Sequence, residues 1–188
     1  MSFLRKTISQ NISISPQCLD EAESGFKVLE LPRKQQLVRA GELTNKLALV
    51  ESGYLRMYQI DQHGKENTVW IGGSGKFITS ISSFVNQKPS YWTIEAVTDA
   101  KLYVIKADSH FELCKKYRDW LDFENLLLVR AISALEYRTF ELASKKAEER
   151  YQAFFKRNTD LFRDIPAKYI ASLLGISEET LSRLKKIE

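Results

Sequence analysis

Between residues 26 and 106 the apolar residues come in short runs, at 28–31, 47–50, 54–60, 68–71, 93–97 and 102–105. Turn-forming stretches separate them: Ala40-Gly41-Glu42, Glu51-Ser52-Gly53, Asp61-Gln62-His63-Gly64 and Gly72-Gly73-Ser74-Gly75. Alternation or clustering over so few residues suits a strand that buries one face, not a helix. Regular short strands joined by glycine-bearing turns pack as an antiparallel sandwich or roll. From Asp108 onward the chain has one glycine and one proline, and its apolar residues recur at three and four. That zone is helical. The expected class is α+β, with an N-terminal antiparallel β-roll of jelly-roll type, a long helix and a helical tail. Residues 1–20 are expected to be short and at most partly helical.

A chain of 188 residues, 44% hydrophobic and 28% charged, can bury a core and fits one domain with a small appendage. Cys18 and Cys114 are the only cysteines, too few for a four-thiolate zinc or iron–sulfur site. His63 and His110 are scattered in the sequence, so no metal centre is expected. Arg5 and Lys6 lead into Ser9, Gln10 and Asn11, not an apolar stretch, so neither a signal peptide nor a membrane span is expected. A cytoplasmic location follows as the expectation. The net charge of +4 suits a nucleic-acid binder without proving one. From Ser144 onward ten cations, including Lys145, Lys146, Arg150, Lys156 and Arg157, face seven carboxylates.

Leu128, Ile132, Leu135, Thr139 and Leu142 follow the alternating spacing of a coiled-coil seam, with Leu121 one heptad earlier. Such a stripe can pack on the chain's own sheet. Leu126, Leu127 and Val129 add apolar surface on other faces, which one small monomer cannot easily cover. The helix is therefore expected to touch both its own roll and a second copy, with Leu121, Leu128, Ile132, Leu135 and Leu142 at a dimer interface. The expected divisions are a roll at 1–118, a dimerisation helix at 119–143 and a terminal domain at 144–188.

The terminal segment reads AKYIASLLGISEETLSRLKK from Ala167. Two helices crossing steeply at a tight turn need a small residue at the close approach and a left-handed residue at the turn. Ala171 and Gly175 supply these. Ile170, Leu174, Ile176, Leu181 and Leu184 make a small core, Pro166 precedes the first helix, and Ser177 can cap the second. A plain helical hairpin would share that core, but the residues between are polar and hydrogen-bonding. The segment therefore reads as a helix-turn-helix whose second helix, 177–187, enters a major groove of double-stranded DNA. Arg183 can make a bidentate contact to guanine, and Glu179 can accept from a cytosine amino group. Ser177, Thr180 and Ser182 are short donors, while Lys168, Lys185 and Lys186 supply salt-dependent attraction to phosphates.

A β-roll, a seam-bearing helix and a terminal helix-turn-helix, in that order, resemble the Crp/Fnr superfamily of bacterial regulators. The resemblance is most specific at Ile170-Ala171, Gly175-Ile176-Ser177 and Glu179-Thr180-Leu181-Ser182-Arg183. Val50-Glu51-Ser52-Gly53-Tyr54-Leu55-Arg56 is similar to the family's glycine hairpin, and Ala96-Val97-Thr98-Asp99 to the turn before its last strand. The resemblance implies a cyclic-nucleotide-binding-like domain and a homodimer that reads a near-palindromic site and regulates transcription, with RNA polymerase a candidate partner. Two recognition helices would then enter successive major grooves about 34 Å apart.

The departures concern the ligand. Members that bind cyclic AMP carry a Gly-Glu pair for ribose and a later Arg-Ser pair for phosphate. Here Phe77-Ile78 leads into Thr79-Ser80, and the later segment is Lys88-Pro89-Ser90-Tyr91-Trp92. The carboxylate and the arginine are missing, and a lysine lacks the arginine fork. Cyclic AMP is therefore not the expected ligand, and no cofactor is assigned. Phe77, Ser80, Ser90, Tyr91 and Trp92 are candidate lining for some other small effector, with Phe84 beside them; the aromatics can equally be core. Glu178 stands where the family often has a basic or small residue, which changes the expected base preference. A β-wing that many relatives place after the recognition helix is not expected before Glu188. Two other classes compete: a ligand-binding module whose helical tail only dimerises, and an enzyme on a cupin-like sandwich. No convergent His and carboxylate set, phosphate loop or nucleophile motif supports the enzyme.

Overall fold

The computed structural model describes residues 1–186. Helices α1 (Phe3–Ser9) and α2 (Pro16–Gly25) precede strands β1 (Lys27–Leu31), β2 (Gln36–Val38), β3 (Lys46–Ser52), β4 (Leu55–Ile60), β5 (Glu66–Gly72) and β6 (Phe77–Ile78). Helix α3 (Ile81–Asn86) leads to β7 (Thr93–Ala96) and β8 (Ala100–Lys106). Six helices complete the described chain: α4 (Ala107–Lys116), α5 (Arg118–Ser144), α6 (Ala147–Arg157), α7 (Thr159–Asp164), α8 (Ala167–Leu174) and α9 (Glu178–Lys185).

The strands form two four-stranded antiparallel sheets, in the orders β1-β8-β3-β6 and β2-β7-β4-β5. Ala48, Val50, Leu55, Ile78, Ile94, Ala96 and Leu102 meet between them as the roll's interior. On β3 the alternate residues Leu47 and Leu49 face outward, where they join Leu4, Ile8, Cys18, Leu19, Ile105, Trp120 and Phe123 beneath the flanking helices. Both faces of β3 are covered, so its middle reads as an unbroken apolar run. The N-terminal segment is more ordered than its composition suggests. Two helices run to Gly25, the first capped by the Ser2 hydroxyl on Arg5 N, and they cover the first sheet with buried Leu4, Ile8, Cys18 and Ala22.

The two sequence stretches that resemble the family's roll meet in space. Gly53 has φ 80°, and a Cβ there would lie 2.2 Å from the Asp99 carbonyl oxygen, so only glycine fits. Beside it Tyr54 N donates to Thr98 Oγ1 at 3.0 Å, and Val97 N donates to Tyr54 O at 2.8 Å.

Helix α5 changes character along its length. Trp120 and Phe123 are fully buried and Leu127 packs on the same cluster. Beyond it, Val129, Ile132, Leu135 and Phe140 each expose more than half of their surface. Among the described residues no helix is long and apolar enough to cross a membrane.

Candidate DNA-binding surface and effector site

Helices α6 to α9 gather around Tyr151, Leu161, Ile165, Ile170, Ala171, Leu174, Leu181 and Leu184. The helical pair α8 and α9 turns at Gly175, which adopts φ 65° and ψ 39°. Ile176 N bonds back to Ala171 O at 3.1 Å and Gly175 N to Ser172 O at 3.1 Å, closing the end of α8. Two arginines then satisfy the exposed carbonyls: Arg138 Nη2 donates to Leu173 O at 2.8 Å and Arg150 Nε to Leu174 O at 3.1 Å. Sequence reading did not find these two, because their partners are backbone atoms 35 and 24 residues away.

Helix α9 begins at Ser177, whose hydroxyl accepts from Thr180 N at 3.1 Å and lies 2.9 Å from Thr180 Oγ1. Both hydroxyls are thus engaged in the cap. Glu178 and Glu179 lie in the first turn and Arg183 and Lys185 in the last, each end complementing the helix dipole. Leu181 and Leu184 face the core. Lys168, Ser177, Glu179, Ser182, Arg183, Lys185 and Lys186 are exposed, and Thr180 is half-buried. The end of the second helix, expected at Ile187, lies outside the described residues.

Charge is distributed unevenly over this region. Lys145 and Arg157 both pair with Glu141, and Arg163 pairs with Asp160 and Asp164. The Glu141 carboxyl is held below its usual range; burial opposes this, and the hydrogen bond from Lys145 leads the groups that lower it. Among the described residues Lys168, Arg183, Lys185 and Lys186 take part in no ion pair. The cations on and beside α9 thus join Lys146, Arg150 and Lys156 as those of this region without an internal ion pair among the described residues.

The candidate effector residues are not brought to one place. β6 lies at the edge of its sheet, and its alternation sends Ile78 inward and Phe77 outward. Phe77 packs edge-on to Phe123 at 5.5 Å, and Phe84 lies against His110 and Phe111 in that same outer cluster. Tyr91 and Trp92 pair with each other at 4.9 Å, with Tyr91 60% exposed. Ser80 and Ser90 are both buried with their hydroxyls 2.8 Å apart, and Ser90 Oγ also bonds to the Trp92 backbone. Phe77 and Phe84 thus take the role of core residues, the reading the sequence left open beside the pocket.

One polar cluster escaped the sequence reading. His110 and Cys114, four apart on α4, meet Glu124 of α5. His110 Nε2 is 3.2 Å from Glu124 Oε1, and the Cys114 thiol donates to Glu124 Oε2 at 3.3 Å. The four-residue spacing of a histidine and a cysteine was the available signal. The Trp120 indole N–H donates to His110 Nδ1 at 3.4 Å, which assigns the ring's proton to Nε2, facing Glu124. A metal at Nε2 would have to displace that proton while the other nitrogen faces a donor, the reverse of the usual support for a metal-bound histidine. The cluster is a hydrogen-bonded core network. Burial, with Glu124 second, pushes the Cys114 thiol up to about 12.

Residues 28–117 match the cyclic nucleotide-binding domain family. Over 177 residues the chain is 25% identical to the cyclic AMP receptor protein of Thermus thermophilus, covering 91% of this chain and 81% of that one. Among solved structures, FixK2 from Bradyrhizobium japonicum superposes with a TM-score of 0.74 at 17% identity, covering 86% of this chain and 83% of FixK2. A Crp/Fnr-family regulator from Eubacterium rectale gives a TM-score of 0.72 at 20% identity, covering 93% and 83%. The roll is thus a domain of the cyclic nucleotide-binding family. The chain that carries it is similar in sequence to a cyclic AMP receptor protein and in fold to Crp/Fnr regulators, in line with the resemblance read from the sequence.

Proposed function

We propose that this chain is a homodimeric, sequence-specific DNA-binding transcription regulator working in the cytoplasm and carrying out no catalysis. The roll at 1–118 is the effector-type domain, 119–143 the dimerisation helix, and 144–188 the helix-turn-helix head. The observation that carries the reading is the α8–α9 pair. It has a left-handed glycine at its turn, and its second helix presents exposed hydrogen-bonding residues and cations without internal ion pairs. Arg183 reads a guanine and Glu179 a cytosine amino group; Ser177, Thr180 and Ser182 contribute short contacts; Lys168, Lys185 and Lys186 hold phosphates. Leu128, Ile132, Leu135 and Leu142, exposed along α5, form the seam between two copies, with half-buried Leu121 at its start. Two heads then read a near-palindromic site, and RNA polymerase is a candidate partner once bound.

The effector is a small molecule other than cyclic AMP. The roll's positions after Ile78 offer serines in place of a ribose-binding carboxylate. Among the described residues the roll's buried arginine, Arg56, is on the opposite face and held by glutamates. Selection from random duplex DNA, followed by titration of the recovered sequences at several salt concentrations, tests the proposal. An enriched inverted repeat bound well above bulk DNA is expected. Tight small-molecule binding with no enriched sequence, with and without cell-extract metabolites, would leave a ligand-binding module whose tail only dimerises.

A further inference from the structure

Helix α8 is fastened to the roll by a polar contact that reading DNA does not by itself require. Arg56 on β4 is 1% exposed, on the outer face of its sheet. Its guanidinium carbon lies 3.9 Å from the centroid of Tyr58 and 3.9 Å from that of Tyr169 on α8. The charge is therefore sandwiched between one ring of the roll and one of the head. Nη2 reaches Glu66 Oε2 at 2.7 Å and Glu95 Oε1 at 3.1 Å, and Nε reaches Glu95 Oε1 at 3.2 Å. Nη1 is buried with no hydrogen-bond partner among the described residues, so the two ring faces and two carboxylates must offset its desolvation.

Three residues along the same face of α8, Ser172 touches the edge of the sheet. Its hydroxyl accepts from Thr68 N at 2.8 Å and donates to Glu66 O at 3.1 Å. β5 is the outermost strand of its sheet, and its pairing with β4 skips Val69. Ser172 thus gives an edge strand the donor and acceptor that a further strand would have supplied. Val97, Tyr54 and Ile71 of the roll join the head's apolar cluster around these contacts.

We propose that Arg56, Tyr169 and Ser172 form a latch that fixes α8 to the roll and thereby sets the direction in which α9 projects. All three are positioning residues. The consequence for DNA rests on the proposed DNA-binding reading; the fastening itself does not. In the latched arrangement Glu179, Ser182, Arg183 and Lys185 of α9 are exposed, so the latch leaves the reading face open. A dimer that reads two half-sites must hold both heads at matching angles, and an ordered head brings that angle to the encounter instead of losing freedom during binding. A single half-site makes no such demand.

The test uses the full chain carrying Tyr169→Leu with Ser172→Ala, and separately Tyr169→Phe, which keeps the ring over the guanidinium. In the double variant, amide exchange in β5 should quicken about tenfold or more while β3 and β8 stay protected. The ratio of two-half-site to single-half-site affinity should fall about tenfold, with single-site affinity unchanged. Tyr169→Phe should preserve both. Unchanged protection of β5 overturns the latch. Equal loss on both DNAs overturns the positioning role, since damage to the head itself would produce it. If the unmodified chain selects no DNA, the DNA-binding reading falls by itself, and β5 exchange still decides whether the latch exists.

Discussion

The two halves of α5 carry similar apolar residues to different ends. In the first, Trp120 and Phe123 are fully buried beneath the first sheet, and Leu127 packs beside them. In the second, Leu128 to Leu142 present an apolar stripe to solvent, with Ile132, Leu135, Phe140 and Ala143 lining one continuous patch. Helical periodicity fixes which residues share a face, but not what covers it. The cover depends on the rest of the chain. Two N-terminal helices and α4 surround the first half. Among the described residues the second half meets α6 and the α8–α9 turn mainly through Arg138 and Glu141, leaving its apolar stripe uncovered. An exposed stripe of that extent on a helix otherwise built into a core is what an interface between copies requires.

The contrast can be broken by substitution. Phe123→Ala should destabilise the roll most, by about 3–5 kcal/mol, seen as a lower midpoint in urea unfolding. Leu135→Ala should leave that midpoint of the isolated protomer nearly unchanged; a loss as large as that at Phe123 would mean the two halves are not different. Leu135→Glu should weaken self-association by about 2 kcal/mol or more, read by sedimentation, while the protomer's fold is kept. Farther along the chain, Arg183→Ala should cost roughly 1–3 kcal/mol on a selected site and relax preference at one base pair. Lys186→Ala should instead weaken all DNA alike and lower the salt slope by about one. Identical behaviour of the two variants would remove the division between base-reading and phosphate-holding residues.

The smallest effect belongs to the buried half of α5. The hydrogen bond from His110, foremost, and that from Cys114 hold the Glu124 carboxyl below its usual range, against burial. A carboxyl lowered in the folded state contributes stability above its unfolded pKa of roughly 4.3, and that contribution is lost as pH falls through the lower folded value. Glu124→Gln should therefore lower stability modestly at neutral pH, change it little at the acid end, and so flatten the acid limb of stability against pH. An unchanged acid limb would mean the network holds no charge.

Much of this was legible in the sequence for stated reasons. The runs at 28–31, 47–50, 54–60, 68–71, 93–97 and 102–105 each fall within or across a strand, because half-buried strands must alternate or cluster. Helix α5 spans 118–144 against an expected 119–143, and Gly175 and Ser177 occupy the expected turn and cap. β2 and β6 were missed because three and two residues are too short to show a period. α1 and α2 were undervalued because they are short and depend on a sheet distant in sequence. The sequence leaves Phe77 open between pocket and core, since which face of a two-residue strand points inward is set by its edge pairing with β3. The latch and the arginine caps join residues more than twenty apart, where local spacing carries no information.

The central claim is that two heads on one dimer read DNA at a fixed separation. Its most direct test is affinity for a selected inverted repeat against the same half-sites moved apart by half a helical turn, about 5 base pairs. The dimer predicted here loses most of its specific affinity on that insertion and regains some on a full-turn insertion. Equal affinity for all three spacings would contradict it, and would mean that each head acts alone.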